Sequence, residues 1–481
     1  MSSSHAVGAG IGTALPRPAG LAALLVMLSG TFMVVLDFFI VNVALPSVQH
    51  ELRAGSAALQ WVVIGYGLAM AVGLISGGRL GDIHGRRRIF MLGVALFAAT
   101  SALCGLAPTA SVLVAARIAQ GAAGALLLPQ VTAMLGIAYS GEQRARAFAA
   151  YGLALGLGAA TGQLIGGSLI DADLGGLGWR SCFLINLPIA GVALLLAPRL
   201  LPAPPAPRTS RVDALGAALL ALALTALLLP LVQGRDAGWP AWSLAALAAS
   251  LPLFALFWRQ QHRMALRGGQ PLLAPQLMSQ RGFVLGLLVT LAFYAGNASL
   301  YFVLALYLQR GLGLSPLESG IVFTALAGGF FATSMAAPRL GSWLGRQAIL
   351  AGAGVLALGH ALMFVLVSHA AAPSLAAIVP VLVIQGCGLG MVMAPLVATV
   401  LTGLPAEHAG VAAGVLGTVQ QMGNALGVAL IGMVFYGSGH QTPGQSAAIA
   451  GFAPSLVYLL ATSLTVAVLY RRFTKLAKEA P

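Results

Sequence analysis

Charged side chains are the scarcest class in this sequence. Asp, Glu, Lys and Arg supply 7% of the 481 residues, whereas hydrophobic residues supply 59%. Soluble domains carry roughly 25% charged residues, and a water-soluble fold could not bury so much apolar surface. Lipid must therefore be the solvent for most of the chain, which predicts an all-α integral membrane protein.

Cysteine is scarce as well. The three cysteines, Cys104, Cys182 and Cys387, lie far apart in or beside apolar runs, and the sequence has no CxxC or HExxH motif. These absences argue against a disulfide framework and a zinc site. No nucleophile with its base and no metal-binding cluster falls at one predicted membrane depth. We therefore expect neither an enzyme nor a bound cofactor.

Acidic residues are the minority among the few charges. The chain has 11 Asp and Glu against 25 Lys and Arg, for a net charge of +14. Nucleic-acid binding would need a contiguous basic face, but the basic residues occupy short connections, and their longest run is Arg86–Arg88. We expect no nucleic-acid partner and interpret the excess as a signal for orientation in the membrane.

Fourteen apolar runs are long enough to span a bilayer, which takes roughly 20 helical residues. The first run follows a segment rich in Ser, Gly and Ala without a convincing cleavage site, so we interpret it as a retained helix rather than a removed signal. The predicted spans are 21–45, 58–80, 89–107, 111–137, 147–170, 180–201, 213–232, 240–259, 282–308, 317–340, 347–369, 374–401, 409–436 and 450–470.

The basic residues indicate the orientation of these spans. With alternate loops on opposite sides, 20 of the 25 basic residues fall on the side of the N-terminus, four fall on the other side, and Arg117 lies within a span. Positive loops stay in the cytoplasm, and an even number of spans places both termini there. We expect a multi-pass protein of the plasma (inner) membrane.

A repeated loop motif indicates two related halves. Residues 79–86 read RLGDIHGR and residues 339–346 read RLGSWLGR, a spacing of 260 residues, and Gln120-Gly121 has a looser echo in Gln385-Gly386. Related six-helix halves are typical of transporters, whose substrate binds between the halves near the middle of the membrane. We predict two pseudo-symmetric six-helix bundles, 1–201 and 282–481, joined by a linker (202–281) with two extra transmembrane helices.

Asp37 is the one acidic residue predicted deep inside the membrane. A carboxylate in hydrocarbon is costly, and such residues usually face the bundle interior and serve ion or substrate pathways. Arg117 lies at nearly the same predicted depth, so the two are candidates for proton coupling. The alternatives are a structural hydrogen bond for Asp37 and an Arg117 side chain that extends outward to the lipid headgroups.

The loop after the second span combines glycines, one acid and several arginines on the cytoplasmic side. The arginines contribute to orientation, but the acid and the glycines add nothing to that signal, which favours a conformational switch. The second loop has Ser342 where the first has its acid, which predicts a one-sided latch. The predicted switch residues are Gly78, Gly81, Asp82, Gly85, Arg86 and Arg87.

Two further sets of residues indicate helix packing or substrate contact. The fifth span has glycines four residues apart, which allow close packing; its motif glycines are Gly158, Gly162, Gly166 and Gly167. Polar and aromatic residues that share helix faces are candidates for a substrate cavity, and interhelical hydrogen bonding explains them equally well. They are Tyr66, Gln120, Tyr294, Asn297, Tyr301, Gln420 and Asn424.

The order of these motifs resembles the major facilitator superfamily, and the number of spans resembles its drug:proton antiporter branch. The resemblance covers nearly the whole chain and rests on LDFFIVNVALP, GGRLGDIHGRRR, RIAQGAAGALLLP, the glycine-rich fifth span, WRSCFLINLPIA and VAAGVLGTVQQMGNALG. It implies a role in the inward/outward switch for the loop motif, and in proton transfer for Asp37 and Arg117. One position departs from the branch, because Gln163 stands where its fifth-helix motif has proline.

We therefore expect a proton-coupled transporter that exports small lipophilic or cationic toxic compounds by alternating access. Its expected partners are a small-molecule substrate, protons and the lipid bilayer. We expect it to work as a monomer, with the proton gradient as its energy source. Proton-coupled movement of a metabolite, outward or inward, is the alternative that the sequence leaves open.

Overall fold

The computed structural model describes residues 20–202, 212–369, 373–402, 409–438 and 445–479. Within them all regular elements are helical, and fourteen helices are long and apolar enough to cross a membrane, which confirms the predicted number. Residues 203–211 of the predicted linker lie outside the described residues. The spanning helices are α1 (Leu21–Leu52), α2 (Ser56–His84), α3 (Arg86–Gly105), α4 (Ala110–Ala138), α5 (Gly141–Ala172), α6 (Gly178–Leu200), α7 (Ala214–Gln233), α8 (Ala241–Leu266), α9 (Arg281–Leu306), α10 (Pro316–Leu344), α11 (Ala348–His369), α12 (Leu375–Leu401), α13 (Ala409–Ser438) and α14 (Gln445–Glu479).

Several helices are longer than the apolar runs that predicted them. A helix of 32 residues such as α1 is about 48 Å long, whereas the hydrocarbon layer is about 30 Å thick. Such helices must tilt or extend into the headgroup layer. We call the end of the bundle with the basic loops the inner end, because the positive-inside rule assigns it to the cytoplasm, and the opposite end the outer end.

Short sequence signals end and begin the helices. Gly85 separates α2 from α3 with a φ of 94°, which only glycine adopts without strain. The Thr109 hydroxyl caps α4 by accepting a hydrogen bond from the Val112 N–H at 3.3 Å. Ser315 and Glu318 form a reciprocal capping box at the start of α10, as its sequence pattern favours.

The helices pack in the same pairs in the two halves of the chain. In the first half α2 and α3 pack on α4, and α1 packs on α5. In the second half α10 and α11 pack on α12, and α9 packs on α13. The first six helices and the last six therefore form two pseudo-symmetric bundles, while the exact limits of the two domains stay predictions.

Two symmetry-related helix pairs join the bundles, α2 with α13 and α5 with α10. Hydrogen bonds between the bundles run from Thr418 to the Ala71 carbonyl (3.1 Å), from Gln309 to the Val43 carbonyl (3.0 Å) and from Ser315 to the Asp171 carboxylate (2.8 Å). The last two lie at the outer end. At the inner end, in contrast, Trp343 of α10 is 86% exposed. The structure is closed at its outer end.

The linker helices α7 and α8 pack on each other as a hairpin, and α7 also contacts α2 of the first bundle and α13 of the second. Asp213 caps α7 and accepts hydrogen bonds from the side chains of Gln260 (2.9 Å) and Gln261 (2.6 Å) on α8. Arg79 of α2 donates to the carbonyls of Gln270 and Pro271 in the segment after α8. The linker is thus tied to the inner end of the first bundle.

Candidate functional site

Asp37 and Arg117 meet inside the first bundle, as their predicted depths indicated. Arg117 Nη1 on α4 donates to Asp37 Oδ2 on α1, and both side chains are 0% exposed. The outward-extending alternative for Arg117 is not the arrangement seen, since its guanidinium is enclosed between helices. The role of the pair in proton coupling is a separate question and stays a prediction.

Two amide side chains complete the contacts of the carboxylate. Gln120 Nε2 and Asn186 Nδ2 donate to Asp37 Oδ1 at 2.8 and 3.1 Å. Both amides also donate to the Ser101 hydroxyl, at 3.1 and 3.0 Å, and that hydroxyl donates to the Phe183 carbonyl at 2.8 Å. Side chains from α1, α3, α4 and α6 therefore share one fully buried network around Asp37.

The guanidinium of Arg117 is held from the other side by the first bundle. Its Nε donates to the Val62 carbonyl at 3.0 Å, and its Nη1 also donates to Gln120 Oε1 at 2.7 Å. Its Cζ lies 4.3 Å from the centroid of the Tyr66 ring, a cation–π arrangement. Its Nη2 has no hydrogen-bond partner among the described atoms, so one donor of the buried cation remains unsatisfied.

Tyr66 and Gln120, proposed from the sequence as cavity residues, belong to this buried network. Tyr66 is 0% exposed, and its hydroxyl donates to the Val34 carbonyl at 3.1 Å. Gly121 is required beside it, because a β-carbon there would collide with the Tyr66 carbonyl oxygen. The network places its ionisable groups inside one bundle rather than at the contact between the bundles.

Sequence reasoning did not identify Ser101 and Asn186 as members of this site. Both are fully buried polar residues in otherwise apolar spans, and Asn186 lies in the quoted segment WRSCFLINLPIA. Neutral polar side chains commonly form contacts between helices within the membrane. The residue type and the predicted depth of Ser101 and Asn186 therefore did not distinguish them from many similar residues. Their neighbours in space give them their importance.

The predicted switch loop forms a compact cluster at the inner end. Arg86 pairs with the Asp82 carboxylate, and its Nη1 reaches the Gly78 carbonyl (3.2 Å) and Gln130 Oε1 on α4 (3.3 Å). A β-carbon at Gly81 would collide with the Gln130 side chain. The glycines thus let the ends of α2, α3 and α4 approach closely enough for one arginine to connect them.

Arg87 and the repeat loop behave differently from Arg86. Arg87 Nη1 donates to the carbonyls of Pro198 (3.0 Å) and Leu201 (3.3 Å) at the end of α6. In the repeat loop the Ser342 hydroxyl donates only locally, to the Arg339 carbonyl at 2.7 Å; the side chain of Arg346 lies outside the described atoms. The geometry is consistent with a latch on one side, which remains a prediction.

The glycines of the α5 motif provide space for two other helices. β-carbons at Gly158, Gly162 and Gly166 would press on α1, and one at Gly167 would collide with the Pro316 carbonyl of α10. Gln163, the residue that departs from the antiporter pattern, donates to the Phe39 carbonyl of α1 at 3.0 Å. The α5 motif therefore holds both a contact within the first bundle and one between the bundles.

The remaining candidate cavity residues lie in three places. The Tyr301 ring contacts the Phe39 ring across the bundles, with centroids 4.7 Å apart, and Tyr294 is buried nearby on α9. On α13 Asn424 donates to Gln421 Oε1 at 2.7 Å, and Gln421 Nε2 lies 2.7 Å from Met70 Sδ of α2. Gln420 is half-buried beside Gln421, a residue that the sequence analysis did not select. Asn297 instead lines a small cavity inside the second bundle.

Sequence comparison agrees with this geometry. The Major Facilitator Superfamily model matches residues 27–428. The chain is 40% identical to the probable actinorhodin transporter of Streptomyces coelicolor, over 86% of this chain and 72% of that protein. It is 36% identical to the cephamycin export protein CmcT of Amycolatopsis lactamdurans, over 95% of this chain and 93% of that protein. It is 34% identical to a puromycin resistance protein of Streptomyces alboniger, over 88% of this chain and 83% of that protein.

Solved structures share the fold at low sequence identity. A POT family transporter in complex with 5-aminolevulinic acid superposes with a TM-score of 0.68 at 14% identity, over 96% of this chain and 98% of that one. A bacterial homologue of the human lysosomal transporter Spinster, inward-facing and unoccupied, gives 0.66 at 17% identity, over 94% and 96%. The fold, the motifs and the relatives agree: this multi-pass membrane protein belongs to the Major Facilitator Superfamily.

Proposed function

We propose that this chain exports small lipophilic or cationic toxic compounds, of the antibiotic type, in exchange for protons. The observation that supports coupling to protons is the Asp37–Arg117 pair, whose two charges have no exposure to solvent. The support for export comes from the relatives, which are named for transport of actinorhodin, export of cephamycin and resistance to puromycin. The inner membrane is the site of action that this function implies.

The energetics of the buried pair suggest how coupling would work. Two charges in a low-dielectric interior are tolerable only while each neutralises the other, and an unpaired buried charge costs several kcal/mol. A proton on Asp37 would remove one charge and leave the Arg117 guanidinium unpaired. The protonated protein would then favour a conformation in which Arg117 reaches water or another acceptor. Binding of a proton would thereby bias the inward/outward equilibrium.

The contact between the bundles suits an apolar substrate. The side chains there include three aromatic rings and the thioether of Met70. The ring centroid of Tyr301 lies 4.7 Å from that of Phe39 and 5.7 Å from that of Phe323. These groups offer flat and polarisable surfaces without fixed charge, and methionine adapts to ligands of different shape. A substrate path between two halves of one chain also needs no second subunit, in agreement with a monomer.

The test is survival and accumulation in a drug-sensitive bacterial host with and without the protein. The panel contains puromycin, a cephamycin, an aromatic polyketide and a lipophilic cationic dye. We expect higher survival and lower intracellular accumulation for at least one compound. Asn42→Ala is the matched control for Asp37→Asn, because Asn42 lies on the same helix and its side chain donates only to the Phe38 and Phe39 carbonyls.

The outcomes separate the alternatives. Loss of protection with Asp37→Asn but not with Asn42→Ala supports proton-coupled export. Faster accumulation of a compound in expressing cells would instead show uptake. Equal survival and equal accumulation across the whole panel, with the protein present in the membrane, would contradict drug export.

A further inference from the structure

The second bundle contains a polar cluster at the place equivalent to Asp37. The loop motif repeats at a spacing of 260 residues, and the same spacing takes Asp37 of α1 to Asn297 of α9. The network around Asp37 draws on α1, α3, α4 and α6; the equivalent helices are α9, α11, α12 and α14. Each of these four contributes a buried polar residue to one region: Asn297, His360, Gln385 and Ser463.

The hydrogen bonds of His360 assign its tautomer. His360 is 2% exposed, and its Nδ1 lies 3.2 Å from the Ser463 hydroxyl. That hydroxyl donates its single hydrogen to the Leu459 carbonyl at 3.0 Å, so it can only accept from the imidazole. Nδ1 therefore carries the hydrogen, and Nε2 of the neutral ring is a bare lone pair. Nε2 has no partner among the described atoms.

His360 lines a cavity rather than a packed core. The cavity has a volume of about 10 Å³, which is room for one water molecule. Its polar wall consists of His360, Asn297, Thr462 and Ser463, from α11, α9 and α14. A single water here would have several polar partners, as a buried water requires.

No charge in the cavity wall would compensate a proton on His360. The wall residues from α9 are Asn297 and three without ionisable groups, α12 contributes Leu389, and α14 contributes Thr462, Ser463 and Val466. His360 is the only titratable residue among them. The register that pairs Gln120 with Gln385 places Leu382, which is fully buried, where the first bundle has Arg117. The second bundle thus has a base without a counter-ion.

We propose that this cavity is a second proton-binding site of the molecule, with His360 Nε2 as the proton acceptor. A hydronium ion that enters the cavity gives its proton to the Nε2 lone pair and leaves a water molecule, while Nδ1–H keeps its bond to Ser463. The resulting imidazolium has no carboxylate to pair with, so it favours a conformation of the second bundle in which water enters between α9, α11 and α14. The site goes beyond the proposed drug export and does not depend on it.

Nitrogen-15 NMR of histidine-labelled protein in lipid nanodiscs tests the assignment without any substrate. The chain has eight histidines, and the His360→Gln spectrum identifies the signals of this one. At about pH 7 we expect Nδ1 protonated and Nε2 bare. Because a buried imidazolium without a counter-ion is disfavoured, we expect Nε2 to become protonated only on acidification below about pH 5, together with faster hydrogen exchange in α11 and α14 after correction for the intrinsic rate.

Two variants control the experiment. His369→Gln removes a histidine at the exposed end of the same helix, whose Nδ1 contacts only the Val365 carbonyl, and should keep both effects of acid. Ser463→Ala removes the acceptor of Nδ1–H and should mix the two tautomers at neutral pH, so it reports on the site even if His360→Gln folds poorly. A proton on Nε2 at neutral pH, or an imidazole that stays neutral until the protein unfolds, would overturn the proposal.

Discussion

At the scale of residues, the central fact is that Asp37 and Arg117 stabilise each other only while both are charged. The carboxylate accepts from three side chains, and the guanidinium uses Nε and Nη1. Removing one partner of such a pair leaves the other charge buried and unpaired, which costs roughly 3 to 5 kcal/mol of stability. Replacing both partners by neutral residues can leave the stability nearly unchanged. Stability and coupling can therefore be separated by mutation.

The first prediction uses this separation. Asp37→Asn keeps the shape of the side chain but removes the charge, so we expect loss of substrate-induced proton release and a decrease in the free energy of unfolding of roughly 3 kcal/mol. The double variant Asp37→Asn with Arg117→Gln should recover much of the stability but none of the proton release. The measurements are thermal unfolding in detergent and proton flux in proteoliposomes. Undiminished proton release in the single variant would place coupling elsewhere.

The sequence predicted the charged members of this site and not the neutral ones, for a physical reason. Charge in hydrocarbon is so costly that depth alone pointed to Asp37 and Arg117. Ser101 and Asn186 cost far less to bury, so many such residues occur in spans for packing. Only the three-dimensional arrangement shows that both meet the same carboxylate network. The tautomer of His360 likewise depends on contacts 103 residues apart.

At the scale of elements, the inner ends of the helices are connected asymmetrically. Arg86 connects α2, α3 and α4 through Asp82 and Gln130, whereas Ser342 in the repeat contacts only its own turn. We expect Asp82→Asn to lower the transport rate at least several-fold at equal membrane abundance, and Ser342→Ala to leave it unchanged. Transport assays on both variants, normalised to protein in the membrane, make the comparison. Equal impairment would show that both loops act as latches.

The linker hairpin gives a second prediction for an element. Asp213 caps α7 and holds Gln260 and Gln261 of α8, while Gln261 Oε1 accepts from the Leu273 N–H at 2.9 Å. Loss of a cap costs about 1 kcal/mol, and the lost contacts to α8 add to this in Asp213→Ala. We expect faster hydrogen exchange at the start of α7 and in the segment after α8. Ser279→Ala, an exposed local hydrogen bond in the same region, is the control that should not have this effect.

The sequence predicted the number of elements well and their ends poorly. The length of the apolar runs identified every span, because the thickness of the bilayer sets a minimum length for each spanning helix. The ends depend on local caps and on contacts outside the hydrocarbon layer, which apolar length does not report. α14, for example, begins at Gln445 and continues to Glu479, well past the predicted span of 450–470 on both sides. Its last turns are polar, so the length of the apolar run does not show where the helix ends.

At the scale of the whole molecule, the outer end is closed by contacts in which backbones approach very closely. α5 meets α10 where Gly167 faces the Pro316 carbonyl, and Gly320 of α10 faces the Gln163 carbonyl. The Ser315–Asp171 hydrogen bond lies beside this contact. A state open at the outer end must separate these backbones, so the balance between the two states depends on how closely they pack.

The last prediction tests that balance with two glycines of one helix. A β-carbon at Gly167 would collide with α10, whereas one at Gly152 meets nothing within 4 Å. Overpacking of a tight contact costs roughly 1 to 3 kcal/mol, and 1.4 kcal/mol is about a tenfold change in an equilibrium. We expect Gly167→Ala to raise the rate at which an impermeant thiol reagent labels Gln309→Cys from outside by on the order of tenfold.

Gly152→Ala in the same Gln309→Cys protein should leave the labelling rate unchanged. Gln309 is a suitable reporter because its side chain donates across the bundles to the Val43 carbonyl at 3.0 Å and is partly buried there, so its labelling rate should rise when the bundles part. The protein without Gln309→Cys gives the background from the native cysteines, of which Cys104 and Cys182 are buried. Equal labelling in the Gly167→Ala and Gly152→Ala proteins would mean that closure at the outer end does not depend on this contact.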